Sequence, residues 1–306
     1  MTTRTATTVW LDGTLLDDDR MKLHALTHAL HYGSSVFEGI RVYPTPSGPA
    51  IFRLREHVER LITGAAAYGM ELAWNAGALA DAIVATVRAS GRDAAYVRPL
   101  AFYGGETVRL SPGRECPVHV AIAVLPFAGL VPGGDGVPLF RATVSPYMKT
   151  PSRALPSTVK AGGHYTNSIR ALAEAHARGF DEAILRNDRG EIAEGSGENV
   201  FVVRGGELFT NDADADILPG ITRASVLAIA RDAGVTTRVR PLSVDDVNAA
   251  DEAFFTGTAA EVVPIVQVDD RTFDGEGPVT QRLRTMYTDI VRGRRAAPGP
   301  WLTHVA

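Results

Sequence analysis

Apolar residues alternate with polar ones, or recur at helical spacing, along most of the first half of the chain. TTVWLDGTLL (7–16) predicts two strands joined by a turn at Asp12–Gly13. The apolar positions between Leu54 and Ile62 recur as on one face of a helix, directly after a short strand. ALADAIVATVRASG predicts a helix that ends at Gly91, and AAYVRPLAFYG and VHVAIAVLPF predict two further strands. We therefore expect mixed strands and helices.

The pattern changes after FAGLVPGGDGV (127–137), in which four glycines and a proline interrupt the apolar periodicity. We interpret 127–136 as a linker between an N-terminal α/β domain, 1–126, and a C-terminal α/β domain, 137–306. HYTNSIRALAEAHARG and ITRASVLAIARDAG predict helices, and DEAILRNDRGEIAEGSGENVFVVRGGELFT predicts several short strands. EAFFTGTAAEVVPIVQVD predicts strand, turn and strand, and the tail RGRRAAPGPWLTHVA predicts a loop docked through Trp301.

Composition and charge narrow the class of protein. The 306 residues are 45% hydrophobic and 22% charged, with a net charge of −4 and a pI of about 6.1, so nothing indicates a nucleic-acid or membrane partner. The single cysteine, Cys116, excludes an intrachain disulfide and a cysteine-based zinc site, and the histidines form no H-E-x-x-H motif. Neither a signal peptide nor a membrane span is evident. We expect a cytoplasmic protein without a metal.

Lysine is rare in this chain. Of the 31 Lys+Arg residues, only Lys22, Lys149 and Lys160 are lysines, so 31 − 3 = 28 are arginines. Arginine keeps its proton near neutral pH, whereas a lysine amine can lose its proton and act as a base or nucleophile. Lys160 lies in STVKAGGHYTNS, among small residues, and is therefore a candidate for chemistry. Lys22 and Lys149 are open to interpretation as ordinary surface residues.

Three other segments carry candidate groups, each with a structural alternative. Glu194 and Glu198 flank GSG, which favours either carboxylates aimed into a cleft or a solvated surface hairpin. LPGIT precedes a predicted helix and suits an anion cradle at the helix N-terminus, or a simple cap made by Thr222. Gly257–Ala259 follow a predicted strand and suit either an oxyanion-binding turn or a plain connector.

Known nucleotide and nucleophile motifs do not account for these segments. The chain contains neither G-x-x-x-x-G-K-[ST] nor a G-x-G-x-x-G between a strand and a helix, and the glycines around Ser196 have the wrong spacing for a nucleophile elbow. A lysine amine, a carboxylate for a ring nitrogen and a phosphate cradle are what pyridoxal 5′-phosphate (PLP) requires from a protein. The candidate groups together favour a PLP enzyme.

The chain resembles a known family, the class IV aminotransferases, and most closely the bacterial branched-chain amino acid aminotransferases. The resemblance covers nearly the whole chain and is carried in order by HALHYGSSVFEGIRVY, REHVERL, YVRPL, KAGGHYTNS, EIAEGSGENVFVV, LPGITR and FFTGTAAEVVPI. It implies an α/β (α+β) protein with the two-domain PLP fold type IV, as in D-amino acid aminotransferase. It also implies an obligate homodimer, or a higher homo-oligomer, with the cofactor between the domains.

The resemblance assigns cofactor roles to matching positions. Lys160 is implied as the Schiff-base lysine, which also moves a proton between the substrate Cα and the cofactor C4′. Tyr165 would bond the phenolic oxygen of PLP, and Glu194 the pyridine nitrogen. Leu218 would pack on the ring, and the implied phosphate ligands are Arg60, Ile221, Thr222 and Thr258.

The resemblance also implies a substrate site. Phe37 and Gly39 would line the side-chain pocket, and Tyr96 would hold the α-carboxylate together with the amides of Thr258–Ala259. Arg98 and Tyr32 of the partner subunit would meet the γ-carboxylate of glutamate. The implied reaction is ping-pong transamination of leucine, isoleucine or valine with 2-oxoglutarate.

Two departures from the family pattern bear on the substrate. Phe127 and Leu130 stand where branched-chain enzymes commonly carry a Trp and a Tyr, and Arg109 lies in a loop expected to reach the partner's site. They motivate a specialised aminotransferase for an unusual amino acid as an alternative. The D-amino acid branch of the fold, an aminodeoxychorismate lyase and a non-catalytic binding role are further alternatives, and Arg98 argues against the D-amino acid branch.

Overall fold

The computed structural model describes residues 7–17, 21–105, 107–113, 116–127 and 136–305. Its strands are β1 Thr8–Leu11, β2 Thr14–Asp17, β3 Ser35–Phe37, β4 Ile40–Thr45, β5 Gly48–Phe52, β6 Ala95–Tyr103, β7 Val118–Pro126, β8 Phe140–Met148, β9 Glu182–Arg186, β10 Ile192–Gly195, β11 Asn199–Arg204, β12 Glu207–Thr210, β13 Thr237–Val239, β14 Glu252–Gly257, β15 Glu261–Val268, β16 Arg271–Thr272 and β17 Leu302–His304. Its α-helices are α1 His28–Tyr32, α2 Leu54–Ala67, α3 Ala76–Ser90, α4 Tyr165–Ala177, α5 Ile221–Asp232, α6 Val244–Asn248 and α7 Pro278–Val291.

The strands form two sheets. Within the described residues the first has eight strands, in the order β17-β5-β4-β6-β7-β1-β2 with β3 also paired to β6. The second has nine, in the order β10-β9-β8-β15-β14-β11-β12-β13 with β16 also paired to β15. The first sheet is antiparallel throughout, whereas β8 lies parallel to both β9 and β15 in the second. The domain boundaries predicted from the sequence stay a prediction, and residues 128–135 of the predicted linker lie outside the described residues.

Local sequence explains where the main helices begin and end. Asn75 caps α3 by accepting a hydrogen bond from Ala78 N, and the helix ends at Gly91, whose φ of 61° suits glycine. The apolar face of α2 predicted between Leu54 and Ile62 is buried against the first sheet, with Leu54, Val58 and Leu61 in its core.

The two largest clusters of buried apolar side chains among the described residues hold the sheets and helices together. The first lies between the first sheet and helices α2 and α3. The second joins the sheets, because Tyr43 and Phe52 of the first sheet pack with Phe201 and Phe254 of the second, together with α5 and α7. Trp301 belongs to this core, as the sequence predicts, and its ring meets Phe52 at a centroid distance of 5.8 Å. Apolar burial therefore fixes the tail and both sheets as one body.

The tail differs from the sequence prediction in one respect. It contains a strand, β17, where a loop is expected, and β17 pairs antiparallel with β5. A three-residue strand has too little periodicity to be recognised in a sequence, since its pairing partner lies far away along the chain. The last strand thereby closes an edge of the first sheet, where β5 would otherwise present unpaired backbone groups.

Removal of an aromatic ring from the shared core tests how strongly it holds the sheets. Phe254 is fully buried and stacks on Phe201 at 4.9 Å, with the two planes 4° apart. We expect Phe254→Ala to destabilise the protein by about 3–5 kcal/mol, because it removes a ring from a packed interior and leaves a cavity. The urea midpoint of unfolding measures the loss. Val239→Ala, at an exposed position, serves as the control, and an equal effect of the two substitutions would contradict the prediction.

Candidate active site

The backbone of Lys160 is held in place by the residues around it. Val159 and Ala161, on either side of it, are buried in the first core. Phe37 N donates to Lys160 O at 3.0 Å, and Val36 forms an antiparallel bridge with Ala161. Alternation along this extended segment turns the Lys160 side chain away from the core. The amine therefore projects from a rigid backbone.

The glycines that follow Lys160 allow a close approach between two chain segments. A Cβ on Gly33 would lie 2.8 Å from Gly163 Cα, and a Cβ on Gly162 would overlap Ser35 Oγ. Gly163 N donates to Gly33 O at 3.2 Å. The segment KAGGH therefore contains glycines because its backbone touches the N-terminal part of the chain at Gly33 and Ser35.

The amine of Lys160 meets a tyrosine at the start of α4. Lys160 Nζ donates to Tyr165 Oη at 2.5 Å. The Phe37 ring lies against both, 5.0 Å from the Tyr165 ring and 5.2 Å from Lys160 Nζ. Lys160 and Tyr165 lie where two cavities adjoin, because both residues line both cavities. The first cavity is also lined by Glu194 and Ile221, and the second cavity by Phe37.

Glu194 is buried beneath the first cavity. Its Oε2 accepts hydrogen bonds from Asn199 Nδ2 at 3.1 Å and from Leu218 N at 3.0 Å, and its Oε1 lies 2.5 Å from Lys149 Nζ. The solvated-hairpin alternative for Glu194 is therefore wrong. A carboxylate held by three donors in a buried position has a fixed orientation, which suits it to accept a hydrogen bond from a ligand.

Lys149 is a residue of the cleft that the sequence analysis missed. It lies at the end of β8 and lines the cavity with its ammonium on Glu194, so it is not an ordinary surface residue. Burial lowers the pKa of Lys149, but the adjacent Glu194 carboxylate outweighs burial and raises that pKa above its usual value. The scarcity of lysine in this chain was a usable signal for Lys149 as well as for Lys160.

The N-terminus of α5 forms the opposite side of the same cavity. The helix begins at Ile221, and Gly220 is its N-cap residue without any side-chain hydrogen bond, so the interpretation of Thr222 as the cap is wrong. Gly220, Ile221 and Thr222 instead line the cavity together with Thr258. Free N–H groups, a hydroxyl and the positive end of the helix dipole make this an anion cradle.

Arg60 adds a cation to the cradle and is held there by a buried carboxylate. Its Nε and Nη2 donate to the two oxygens of Glu38 at 2.6 and 2.9 Å, and its Nη1 donates to Pro219 O at 2.9 Å. The guanidinium has five N–H donors, so two remain for a ligand. His57 Nδ1 lies 2.7 Å from Glu38 Oε2 on the other side.

The charge of Glu38 depends on these partners. Burial would raise the pKa of Glu38, but Arg60 and His57 outweigh it and lower that pKa to about 2. Burial lowers the pKa of His57 despite the nearby carboxylate. Near neutral pH we therefore interpret the group as an ionised Glu38 between a charged Arg60 and a neutral His57.

The second cavity contains every substrate residue predicted within this chain. Phe37, Gly39, Tyr96, Arg98, Thr258 and Ala259 line it together with Lys160 and Tyr165. The Arg98 guanidinium lies 4.6 Å from the centre of the Phe37 ring and its Nη2 donates to Tyr96 Oη at 3.4 Å. A Cβ at Gly39 would overlap Tyr96 Oη, so the position requires glycine.

Four further residues that the sequence analysis linked to the substrate are not among those lining the second cavity. Tyr32 is on the surface, donating to Val108 O at 2.7 Å, and its predicted role in a partner's site stays a prediction. Arg109 borders a different cavity from the two that contain Lys160. Phe127 packs on Tyr96 at 5.6 Å and on Arg41 at 4.4 Å, whereas Leu130 lies outside the described residues.

The chemistry of the first cavity fits PLP. A lysine amine and a tyrosine hydroxyl lie together, a fixed carboxylate lies beneath the cavity, and an arginine and a helix N-terminus form an anion cradle. Leu218 contributes an apolar wall, and the buried hydroxyl of Thr256, which also lines the cavity, has no hydrogen-bond partner. All the cofactor residues implied by the resemblance line this one cavity: Arg60, Lys160, Tyr165, Glu194, Leu218, Ile221, Thr222 and Thr258.

Sequence comparison identifies similar proteins across almost the full length. The family model for amino-transferase class IV matches residues 35–268. A branched-chain-amino-acid aminotransferase of Pseudomonas aeruginosa is 39% identical over 300 residues, which is 97% of each chain. The enzyme of that name from Escherichia coli K12 is 36% identical and covers 100% of this chain and 99% of its own.

Solved structures agree with the sequences. The branched-chain aminotransferase of Thermoproteus uzoniensis with norvaline superimposes with a TM-score of 0.93 at 42% identity, covering 98% of this chain and 100% of its own. The branched-chain amino acid aminotransferase of Thermobaculum terrenum in its PLP form gives a TM-score of 0.91 at 31% identity, with 98% of each chain covered. Nearly the whole fold is therefore shared.

Loss of the Glu38 charge should weaken the fold. Glu38→Gln leaves the largely enclosed Arg60 without its counter-charge, so we expect a destabilisation of about 3–5 kcal/mol. Thermal unfolding measures the loss. Glu59→Gln, at an exposed position of α2 paired with Arg55, is the matched control. An equal effect of the two substitutions would contradict the role given to the pair of Glu38 and Arg60.

Proposed function

This chain belongs to the class IV aminotransferase family, and on that basis we propose that it transfers the amino group of leucine, isoleucine or valine to 2-oxoglutarate in a ping-pong reaction. The cofactor is PLP, since related structures of the family contain PLP itself, pyridoxamine 5′-phosphate or a phosphopyridoxyl adduct of L-glutamate. The relatives named for branched-chain substrates support the amino donors that we propose.

One observation carries the choice of substrates. The second cavity combines an apolar wall, Phe37, with a cation, Arg98, directly on that ring and next to Lys160. Arg98 Nε is buried without a hydrogen-bond partner, so the guanidinium has a donor to offer. An aliphatic side chain suits the ring, whereas the distal carboxylate of 2-oxoglutarate or glutamate suits the guanidinium.

The residues of the first cavity would hold the cofactor at three points. Arg60, the α5 N-terminus, Thr222 and Thr258 would bind its phosphate. Glu194 would accept a hydrogen bond from the ring nitrogen, and Leu218 would pack on the ring face. When bound, PLP carries the amino group and accepts the electrons released at the substrate Cα.

Lys160 and Tyr165 would handle protons. Lys160 would attach the cofactor covalently in the resting enzyme and then, with its amine released, take the proton from the substrate Cα and return it at the cofactor C4′. Tyr165, 2.5 Å from Lys160 Nζ, would position the amine and bond the cofactor's phenolic oxygen. Such a transfer requires an amine that can lose its proton, which arginine does not provide.

The substrate carboxylates would bind on the side of Lys160 away from the phosphate cradle. Tyr96 and the backbone of Thr258–Ala259 would hold the α-carboxylate. Arg98 would bind the second carboxylate of glutamate, joined by Tyr32 of the partner subunit in a homodimer. Two carboxylate-binding points and one apolar wall in the same cavity would let both half-reactions use one site.

Visible absorption spectra test the two half-reactions. We expect the purified holoenzyme to show the band of lysine-bound PLP, L-leucine to convert it to the pyridoxamine form, and 2-oxoglutarate to restore it. Lys160→Ala should abolish the conversion because it removes the amine that moves the proton. A band that persists in L-leucine but disappears with D-leucine would favour the D-amino acid branch. Pyruvate release from aminodeoxychorismate would favour the lyase.

Replacement of Arg98 separates the two substrates. Arg98→Leu removes the guanidinium from the Phe37 ring, so we expect kcat/KM for 2-oxoglutarate to fall about 100-fold, as for the loss of a charge-assisted pair. The rate of the half-reaction with leucine should fall much less. Single-turnover kinetics with each substrate measures the split. An equal loss for both substrates would contradict a specific role in binding the second carboxylate.

A specialised amino donor is a second candidate, supported by Phe127. This aromatic residue contacts Tyr96, which lines the substrate cavity, and Arg41, whose guanidinium is buried. A panel of aliphatic, aromatic and acidic L-amino acids compared by kcat/KM decides between the candidates. Preference for a donor outside leucine, isoleucine and valine would overturn the branched-chain proposal while leaving the aminotransferase chemistry in place.

A further inference from the structure

Glu198 is a second carboxyl of the active site, distinct from Glu194, and it adjoins another buried carboxyl. It lines both cavities that contain Lys160. Its carboxyl lies beside that of Glu182, a residue of β9 that is 4% exposed, because the consecutive amides of Ser196 and Gly197 donate to Glu182 Oε1 and Glu198 Oε2 respectively. Among the described residues, no lysine, arginine or histidine lies within salt-bridge distance of either carboxyl. Two adjoining carboxyls that lack an ion-pair partner favour sharing a proton, because two adjacent negative charges would repel each other.

The backbone contacts show which of the two carries that proton. Glu182 Oε1 accepts two N–H donors, Ala183 N at 2.7 Å and Ser196 N at 3.0 Å. Glu198 Oε2 accepts one, Gly197 N at 3.1 Å. Donors stabilise the ionised form, so the shared proton is better placed on Glu198, which then donates to Glu182. In agreement, burial and then Glu182 raise the pKa of Glu198 to about 8.

Glu198 also packs against the two glycine turns that border the substrate cavity. A Cβ on Gly195 would lie 3.2 Å from Glu198 Oε2, and a Cβ on Gly257 would lie 3.2 Å from Glu198 Cγ. Gly257 immediately precedes Thr258 and Ala259, the turn that we assign to the substrate α-carboxylate. The carboxyl of Glu198 therefore lies next to the turn that would bind the substrate carboxylate.

We propose that Glu198 is a positioning residue that must be neutral for the substrate carboxylate to bind, and that Glu182 keeps it neutral. The inference rests on the proposed function. Neutral Glu198 donates a hydrogen bond to Glu182 and so helps to hold the Gly195–Gly197 loop in place. It also leaves the carboxylate subsite without a competing negative charge. Ionised Glu198 adds a negative charge to the cavity wall, and this charge repels an incoming carboxylate.

Other titratable groups face the same space. Tyr96, Arg98, Lys160 and Tyr165 line the substrate cavity with Glu198. Arg60, Lys149, His164 and Glu194 line the cofactor cavity. Arg60 is paired with Glu38, and Lys149 with Glu194. Lys160 favours the ionised form of Glu198, but burial and Glu182 outweigh this effect.

The sign of the pH dependence follows from the raised pKa. Below about pH 8, Glu198 keeps its proton and the carboxylate subsite can bind the substrate carboxylate. As the pH rises through that value, the proton is lost, and carboxylate affinity should fall by about tenfold per pH unit, the slope for one linked proton.

The test measures binding of 4-methylvalerate, a branched carboxylate without an amino group, to the holoenzyme through the change in cofactor absorption, from roughly pH 6 to pH 10. We expect the wild type to lose affinity above about pH 8.

Glu198→Gln, a neutral isostere that still donates to Glu182, should lack that loss. Glu182→Gln removes the neighbouring negative charge, lowers the pKa of Glu198 and should move the loss to lower pH. Glu207→Gln, in the distant hairpin of β11 and β12 where Glu207 pairs with Arg238, is the control and should follow the wild type.

A second readout needs no cofactor. At neutral pH the infrared spectrum of the cofactor-free protein should contain the carbonyl stretch of a protonated carboxyl, absent from Glu198→Gln. The inference is overturned if Glu198→Gln keeps the wild-type alkaline loss, or if the wild type binds equally well across the range with cofactor in place. A wild type without any cofactor band would instead overturn the proposed function, and the infrared result would still decide the state of Glu198.

Discussion

The hydrogen bond from Phe37 N to Lys160 O joins the two halves of the chain at the residue that carries the amine. Val159 and Ala161 anchor the same segment in the first core, and the glycines on either side let the two backbones meet. Phe37 contributes its ring to the substrate cavity, and the next residue, Glu38, holds Arg60 at the anion cradle. One stretch of β3 and its neighbour thus sets the spacing between the amine, the second cavity and the anion cradle.

Two of the cations that line the cleft are paired with carboxylates. Arg60 is matched by Glu38 and Lys149 by Glu194, each at hydrogen-bonding distance. Within the part of the chain that the structure describes, Lys160 has a tyrosine hydroxyl as its partner instead of a carboxylate. Buried pairs of this kind cost desolvation energy and serve to fix positions more than to stabilise the fold. The lysine that lacks such a counter-charge is the one to which we assign the proton transfer.

Much of the fold follows from local patterns. The paired strands around Asp12–Gly13 and the end of α3 at Gly91 depend on residues close in sequence, so the pattern predicts them. Chemical composition singled out Lys160, whereas the roles of Tyr165 and Arg98 came from a family resemblance. The patterns did not reveal β17, because its partner is remote. They gave no role to Lys149 or to the pairing of Glu182 with Glu198, because burial and charge environment arise only when distant segments pack together.

The pairing of β17 with β5 has a consequence for how the protein folds. Some 250 residues separate Phe52 from Leu302, and the whole second sheet lies between them in sequence. During synthesis the first sheet therefore has an open edge until the second sheet's residues have been made. Contacts that distant contribute a large loop-closure cost and slow the final step of folding. An unpaired edge that persists this long is exposed to association with other chains, which gives chaperones a reason to bind the nascent N-terminal half.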